Sequence, residues 1–273
     1  IRNNTNDNNY NASAFGNVYV EYEPIKDLII KSSIGGQYSG YAYKDYNYRY
    51  LGDSEPEASN SFNEGSGYNF AYTFTNTAAY KYQWRKHGVK ALVGMEALNT
   101  GAGRQISGSG INPFSMDLDF VTLSSVQSPV VNSGLYSGVN FYSLFSKLDY
   151  NFDEKYYLTG VVRRDGSSRF GPENRYGIFP AVSAAWRVTS EEFMKDLPAI
   201  SDLKIRGGWG IMGNSNNVDP ANQFSLYAAN RGNSFYAIDG QSSGANEGYY
   251  RSRIGNPAAK WETSETLNIG FDA

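Results

Sequence analysis

Cysteine is absent from the 273 residues, and histidine occurs once, at His87. The first absence excludes a disulfide scaffold, a Cys-based zinc site, an iron–sulfur cluster and a thiol nucleophile. The second excludes a His-cluster metal site. No uninterrupted apolar run exceeds four residues. A membrane-spanning helix needs about 20 mostly apolar residues, so none is expected. The formal net charge of -3 is too near balance for a nucleic-acid footprint. Leucine is scarce: 14 Leu stand against 23 Tyr, beside 29 Gly. Tyr, Gly, Asn and Thr suit strands, turns and wet surfaces rather than helix bundles. Ile1 carries no initiator Met or signal segment before it, and Asn268–Ala273 stop inside an alternating pattern. Both ends read as cut, so a longer parent polypeptide is expected.

What is present is alternation with period two. Over 69–85 the even positions include Phe70, Tyr72, Phe74, Tyr80, Tyr82 and Trp84, and the odd ones Thr73, Thr75, Thr77, Lys81 and Gln83. Successive strand side chains point to opposite faces, so this strand has one apolar face and one wet face. Tyr142, Leu144, Leu148, Tyr150 and Phe152 repeat the pattern against Ser143, Lys147, Asp149 and Asn151. Ile178, Pro180, Val182, Ala184 and Trp186 repeat it again. So do Leu203, Ile205, Gly207, Trp209 and Ile211, and Leu267, Ile269 and Phe271. The stretches 16–23, 28–38, 89–98 and 156–164 also read as strands. About nine strands result, many longer than the ~5–6 residues of a mean globular strand. Strands of about 9–11 residues cross a bilayer, and aromatics near the strand ends suit its two interfaces.

Connection lengths alternate as well. Pro24-Ile25-Lys26-Asp27, Lys86-His87-Gly88 and Asp153-Glu154-Lys155 are tight turns. Between them lie long polar connections over 44–68, 99–138, 165–176 and 213–260. Outer-membrane barrels have short periplasmic turns and long outer loops. In the odd connection, 189–202, Thr189 and Glu192 fit a capping box before a helical turn. These signals together predict an all-β chain: a segment of a large antiparallel transmembrane β-barrel. A surface β-sandwich that binds glycans is the alternative the pattern leaves open.

One ordered series is more specific. Arg163-Arg164-Asp165-Gly166-Ser167-Ser168-Arg169-Phe170-Gly171 precedes Arg175-Tyr176-Gly177-Ile178-Phe179-Pro180. Ala185-Trp186-Arg187, Gly207-Gly208-Trp209-Gly210, Gly213-Asn214, Asn256-Pro257 and Lys260-Trp261-Glu262-Thr263 follow. The series resembles the barrel of SusC/RagA-type TonB-dependent outer-membrane transporters, densely over 139–273 and more loosely over 14–98. The resemblance implies a 22-stranded, plugged barrel, a size class known among outer-membrane transporters. It implies uptake of oligosaccharides or oligopeptides in a Gram-negative outer membrane, driven by the TonB complex, with a SusD-like surface lipoprotein as partner. Residues 1–273 would form part of one such barrel domain, without plug, TonB box or C-terminal strand. Nine strands cannot close an even-stranded barrel, and open edges in lipid are not permitted. A passive or receptor-type barrel is the nearer rival.

Candidate site residues fall into a few groups. Arg163, Arg164, Asp165, Gly166, Ser167, Ser168, Arg169, Phe170, Trp261 and Glu262 carry the resemblance, and Asp-Gly-Ser-Ser chemistry makes their role structural rather than ligand-binding. Tyr136, Phe224, Tyr227, Phe235, Tyr249 and Tyr250 are rim aromatics with faces that suit sugar rings. Thr73, Thr75, Lys147 and Asp149 would line the substrate path. His87 reads as a solvated turn residue. Asp219, Asp239 and Glu247 are oxygen donors without an EF-hand spacing. The 207–210 glycines lack a phosphate-loop pattern. There is no nucleophile–base–orienter set, so neither an enzyme nor a cofactor is expected.

Overall fold

The computed structural model describes residues 5–49, 58–136, 138–194, 201–229, 234–237, 240, 246 and 248–273. The strands are β1 (Thr5–Ile25), β2 (Leu28–Asn47), β3 (Ser61–Trp84), β4 (His87–Ile111), β5 (Gln127–Tyr136) and β6 (Asn140–Phe152). They continue with β7 (Tyr156–Ser167), β8 (Tyr176–Arg187), β9 (Lys204–Asn214), β10 (Leu226–Ala228), β11 (Tyr250–Arg253) and β12 (Glu262–Asp272). Among the described residues the named helical elements are three single 3-10 turns, and no helix there is long and apolar enough to cross a membrane.

The hydrogen-bonded order is β1-β2-β3-β4-β6-β7-β8-β9-β12, with β5 added to β4 and β10–β11 forming a separate two-stranded sheet. Those nine consecutive strands coincide with the nine alternating stretches. The first four are much longer than the alternation predicts, and β5 lies inside the stretch read as a loop over 99–138. Thr5–Ala14 and Gly101–Ile111 are too rich in Asn, Gly and Ser to announce themselves, but the ladder satisfies their backbone groups. The short connections are two- or three-residue turns with left-handed residues: Asp27 (φ 67), Arg85 (φ 50), and Asp153 and Glu154 (φ 54 each). Positive φ matches hairpin turns to the strand twist.

The chain divides into two compact units. The first holds residues 1–19, 33–74 and 98–138. Its core is Tyr46, Phe62, Leu118 and Val121, flanked by Tyr48, Leu123 and Val126. The Lys44 ammonium donates to the carbonyls of Leu118 (3.2 Å) and Val121 (3.0 Å), tying the 112–126 connection to β2. The Leu123 N–H donates to the Glu64 carboxylate at 3.2 Å.

The second unit holds residues 20–32, 75–97 and 139–273. Its register assigns the faces. Leu148, Gly160, Val182 and Trp209 oppose one another across β6 to β9, and Leu267 follows on β12. That face stays exposed: Leu148 52%, Val182 45%, Leu267 70%, Ile269 77% and Phe271 72%. Large contiguous apolar patches are rare on soluble monomers, while a lipid-facing strand requires them. Among the described residues no second sheet covers this apolar face, whereas a sandwich would pack it sheet on sheet. Pro180 lies on the same face, and the β8–β9 ladder runs only from Ala181 to Arg187. Proline has no N–H to donate, which stops the pairing there.

The 187–204 connection departs from its expected capping box. Its 3-10 turns are Val188–Ser190 and Glu192–Met194. The Thr189 hydroxyl donates to Asp202 at 3.0 Å and accepts the Leu203 N–H at 3.3 Å, so it does not cap a helix. Leu197 and Pro198 lie outside the described residues.

Candidate functional site

On the wet face of the first unit, alternation places Ser39, Tyr41, Tyr43 and Asp45 of β2 together. The rings of Tyr41 and Tyr43 are nearly parallel, at 10° with centroids 6.4 Å apart. They lie where β3 has glycine: a Cβ on Gly65 would stand 2.6 Å from the Tyr43 ring, and one on Gly67 2.8 Å from the Tyr41 ring. The Gln105 side-chain carbonyl accepts from the Tyr41 hydroxyl at 3.3 Å and also from the Tyr136 hydroxyl. Asn11, Ser13, Ser39, Tyr41, Asn69 and Tyr136 wall a groove of about 520 Å³. Gly101 on β4 takes φ 142, with the Asn69 amide where a Cβ would stand.

In the second unit the wet face carries ion pairs. Lys147 meets Asp149 at 3.0 Å, and Thr159 donates to Asp149 at 2.8 Å. Arg206 meets Asp272 at 3.2 Å, and the Lys204 ammonium sits 4.7 Å from the Tyr157 ring centroid.

The Arg163–Phe170 series is split by the pleat. Arg163 lies on the wet face, pairs with Asp165 at 3.1 Å and covers the Phe145 ring at 5.0 Å. Arg164 points the other way, stacked 3.7 Å from the Tyr176 ring centroid and flanked in register by Leu144 and Ile178. The two arginines therefore do not share a ligand site. Beyond them the chain forms a clamp. The Ser168 N–H donates to the Asn140 carbonyl at 2.9 Å, and the Asn140 N–H returns to the Ser168 hydroxyl at 3.0 Å. Arg169 donates to the Val218 carbonyl, and Gln223 to the Ser168 carbonyl at 3.3 Å. Phe170 is fully buried against Trp261, whose indole N–H donates to the Arg175 carbonyl at 3.2 Å. Glu262 accepts from the Asn214 amide at 3.0 Å.

Tyr136 belongs to the first unit and Phe224, Tyr227, Phe235, Tyr249 and Tyr250 to the second. Tyr227 and Tyr250 sit on the paired strands β10 and β11, and Phe224, Tyr227 and Tyr249 are exposed. Asp219 faces Arg253 at 3.7 Å. Asp239 and Glu247 lie outside the described residues, and among those described no cluster of acidic or His side chains could hold a metal.

At the short-turn end, Glu191 gathers three donors: the Tyr156 hydroxyl (2.6 Å), the Lys155 ammonium (3.1 Å) and the Trp186 indole N–H (3.1 Å). They hold its carboxyl below the usual carboxylate range, the Tyr156 bond contributing most. The Arg187 guanidinium, with help from Thr189, does the same for Asp202. His87 is not a solvated turn residue. It opens β4, half-buried, its Nδ1 2.8 Å from the Tyr150 hydroxyl and its ring stacked on Trp84 at 5.4 Å. Sequence reasoning missed this residue because it set the turn one position late.

No family model matches the chain. Known proteins do. A TonB-dependent receptor SusC of Bacteroides thetaiotaomicron is 28% identical over 271 residues, covering 94% of this chain and 25% of the receptor. A TonB-dependent receptor of Formosa agariphila is 29% identical over 280 residues, covering 99% of this chain and 27% of its own length. The solved RagAB peptide transporter superposes with a TM-score of 0.82 at 26% identity, over 98% of this chain and 28% of that one. Its 'closed-closed' state gives 0.81 over 99% of this chain. The chain folds as a segment of the RagA barrel does, and over nearly its whole length it is similar to SusC- and RagA-type proteins. It spans about a quarter of the length of the SusC-like receptors it matches. The SusC/RagA resemblance therefore extends past the dense region at 139–273 to nearly the whole chain. Tyr41, Gly65, Gly67 and Gln105 were not singled out from sequence, because 44–68 and 99–138 read as loops. The signal that could have found them is the odd-position spacing of Tyr41, Tyr43, Gly65 and Gly67.

Proposed function

We propose that this chain is barrel wall from a TonB-dependent transporter of a Gram-negative outer membrane. The parent protein takes up oligosaccharides or oligopeptides, with a SusD-like surface lipoprotein as partner and no enzymatic step. Its plug and TonB-box segments belong to other parts of the parent chain. The supporting observation is the two-faced sheet of the second unit. Leu148, Val182, Leu267 and Ile269 are exposed on one side, while Lys147–Asp149 and Arg206–Asp272 pair on the other. Such a wall separates lipid from a polar lumen. In this reading the Arg163–Phe170 series and Trp261 are a loop clamp, and cargo contacts come from wet-face and rim side chains.

The test is the parent polypeptide, extracted with detergent from outer membranes. A chain several times longer, copurifying with a lipoprotein and losing uptake when TonB is deleted, is expected. A parent protein that leaves cells in buffer without detergent would sink the proposal. Uptake indifferent to TonB would favour the passive barrel.

A further inference from the structure

We propose that the wet-face groove of the first unit is a subsite for a neutral oligosaccharide, laid on the Tyr41 ring and hydrogen-bonded by Tyr136 and Asn69. The proposal rests on the uptake reading and narrows its cargo to uncharged sugar.

A pyranose ring has apolar C–H faces and a rim of hydroxyls. Its ideal partner combines a flat aromatic surface with uncharged donors and acceptors. Tyr41 supplies that surface from the groove wall, and the nearly parallel Tyr43 ring beside it, at 10°, holds its plane. Gly65 and Gly67 make it possible, because any larger residue on β3 would displace the rings. The Gln105 carbonyl accepts from both Tyr41 and Tyr136, which fixes the two hydroxyl groups and turns the Gln105 amide into a positioned donor. Asn11, Ser13, Ser39 and Asn69 extend the rim with neutral polar groups. At about 520 Å³ the groove falls within the usual range of small-ligand sites, roughly 300–1,000 Å³.

The charges decide the class. No Lys, Arg, Asp or Glu lines the groove. Lys44 and Arg104 alternate to the opposite face, and Lys44 is already engaged by two carbonyls. The nearest wet-face charge along β2 is Asp45, an anion. A uronate, a sulfated glycan or a peptide carboxylate would meet no counter-charge here, and a carboxylate beside Asp45 would be repelled. An uncharged sugar chain needs none.

The experiment uses the full-length transporter in detergent with its copurifying partner. Calorimetry reads binding of three probe sets: neutral hexasaccharides (maltohexaose, cellohexaose, xylohexaose and mannohexaose), hexagalacturonate, and ten-residue peptides. At least one neutral hexasaccharide is expected to bind, and Tyr41→Ala or Gly67→Val to weaken it tenfold or more. Tyr41→Phe, which keeps the ring, should stay within about threefold of the parent protein. Phe70→Ala, on the opposite face of β3, should leave binding unchanged. Heat-modifiable migration of each variant confirms a folded barrel. Binding confined to peptides or hexagalacturonate, binding of no neutral probe, or neutral binding indifferent to both Tyr41→Ala and Gly67→Val overturns the proposal. Peptide uptake that still requires TonB would overturn this subsite and leave the uptake reading standing. Sugar binding that depends on Tyr41, without TonB-dependent uptake, would do the reverse.

Discussion

Phe170 meets Trp261 with ring centroids 5.0 Å apart and planes at 40°, and Phe179 touches the same indole edge-on at 5.3 Å. The β7–β8 hairpin and the distant Trp261 are thus closed by one aromatic cluster. Removing a buried Phe ring costs roughly 3–5 kcal/mol. Phe170→Ala should therefore release the clamp while leaving the strands paired. Proteolysis of intact cells checks this: cleavage within 215–261 should accelerate, and the barrel should keep its heat-modifiable migration. A barrel that fails to assemble would show the cluster to be needed earlier, for folding.

Glu191 gives a prediction with a defined sign. Its folded carboxyl titrates below the ordinary range because Tyr156, Lys155 and Trp186 donate to the ionised form. Its contribution is fully present above the unfolded carboxylate pKa of about 4.3. It is lost as pH falls through the lower folded value. Hydrogen exchange over 187–204 should rise on acidification in the parent protein. In Glu191→Gln it should already be raised at neutral pH and change less on acidification. Identical pH profiles would remove Glu191 from the account of this turn.

The two faces of the sheet should differ in tolerance. Leu148 lies on the apolar face and Ser183 on the wet one, by register. An arginine near the bilayer midplane costs roughly 2–4 kcal/mol on the lipid face. Leu148→Arg should reduce assembled barrel in the outer membrane, and Ser183→Arg should assemble almost normally. Equal yields would contradict the lipid-facing assignment.

Gly101 sits at φ 142 with the Asn69 amide in the Cβ position. A non-glycine residue held in such a region costs of order 1–3 kcal/mol. Gly101→Ala should lower the unfolding temperature of the purified barrel, more than Gly160→Ala. A Cβ on Gly160 would meet nothing within 4 Å.

The strands of the second unit were legible because an apolar face on one side and a polar face on the other write a period of two into the residues. Leu267 to Phe271 show it without exception, and Ile178 to Trp186 show it with Phe179 as the one large apolar residue on the other face. The distal stretches of β1 to β5 were not legible. There both faces are mixed, as in Gly101–Ile111, and only cross-strand pairing reveals the strand. The same limit hid the tyrosine groove: Tyr41 and Gly67 belong to different strands, and their contact depends on a register that neither segment encodes alone. Glu191 was not legible, because only its neighbour Glu192 stands at a capping spacing from Thr189. What determines its role is the approach of Tyr156 and Lys155 from the preceding hairpin.

Pro180 acts as a stop on a zipper. Because β8 cannot bond to β9 at that residue, the seam between these strands has a fixed upper end. A slip that extended the ladder past Ala181 would gain no donor from residue 180, so a change of length in the 215–261 connection meets a seam that does not lengthen there. The connection above can then change in length while the strand pair below keeps its register.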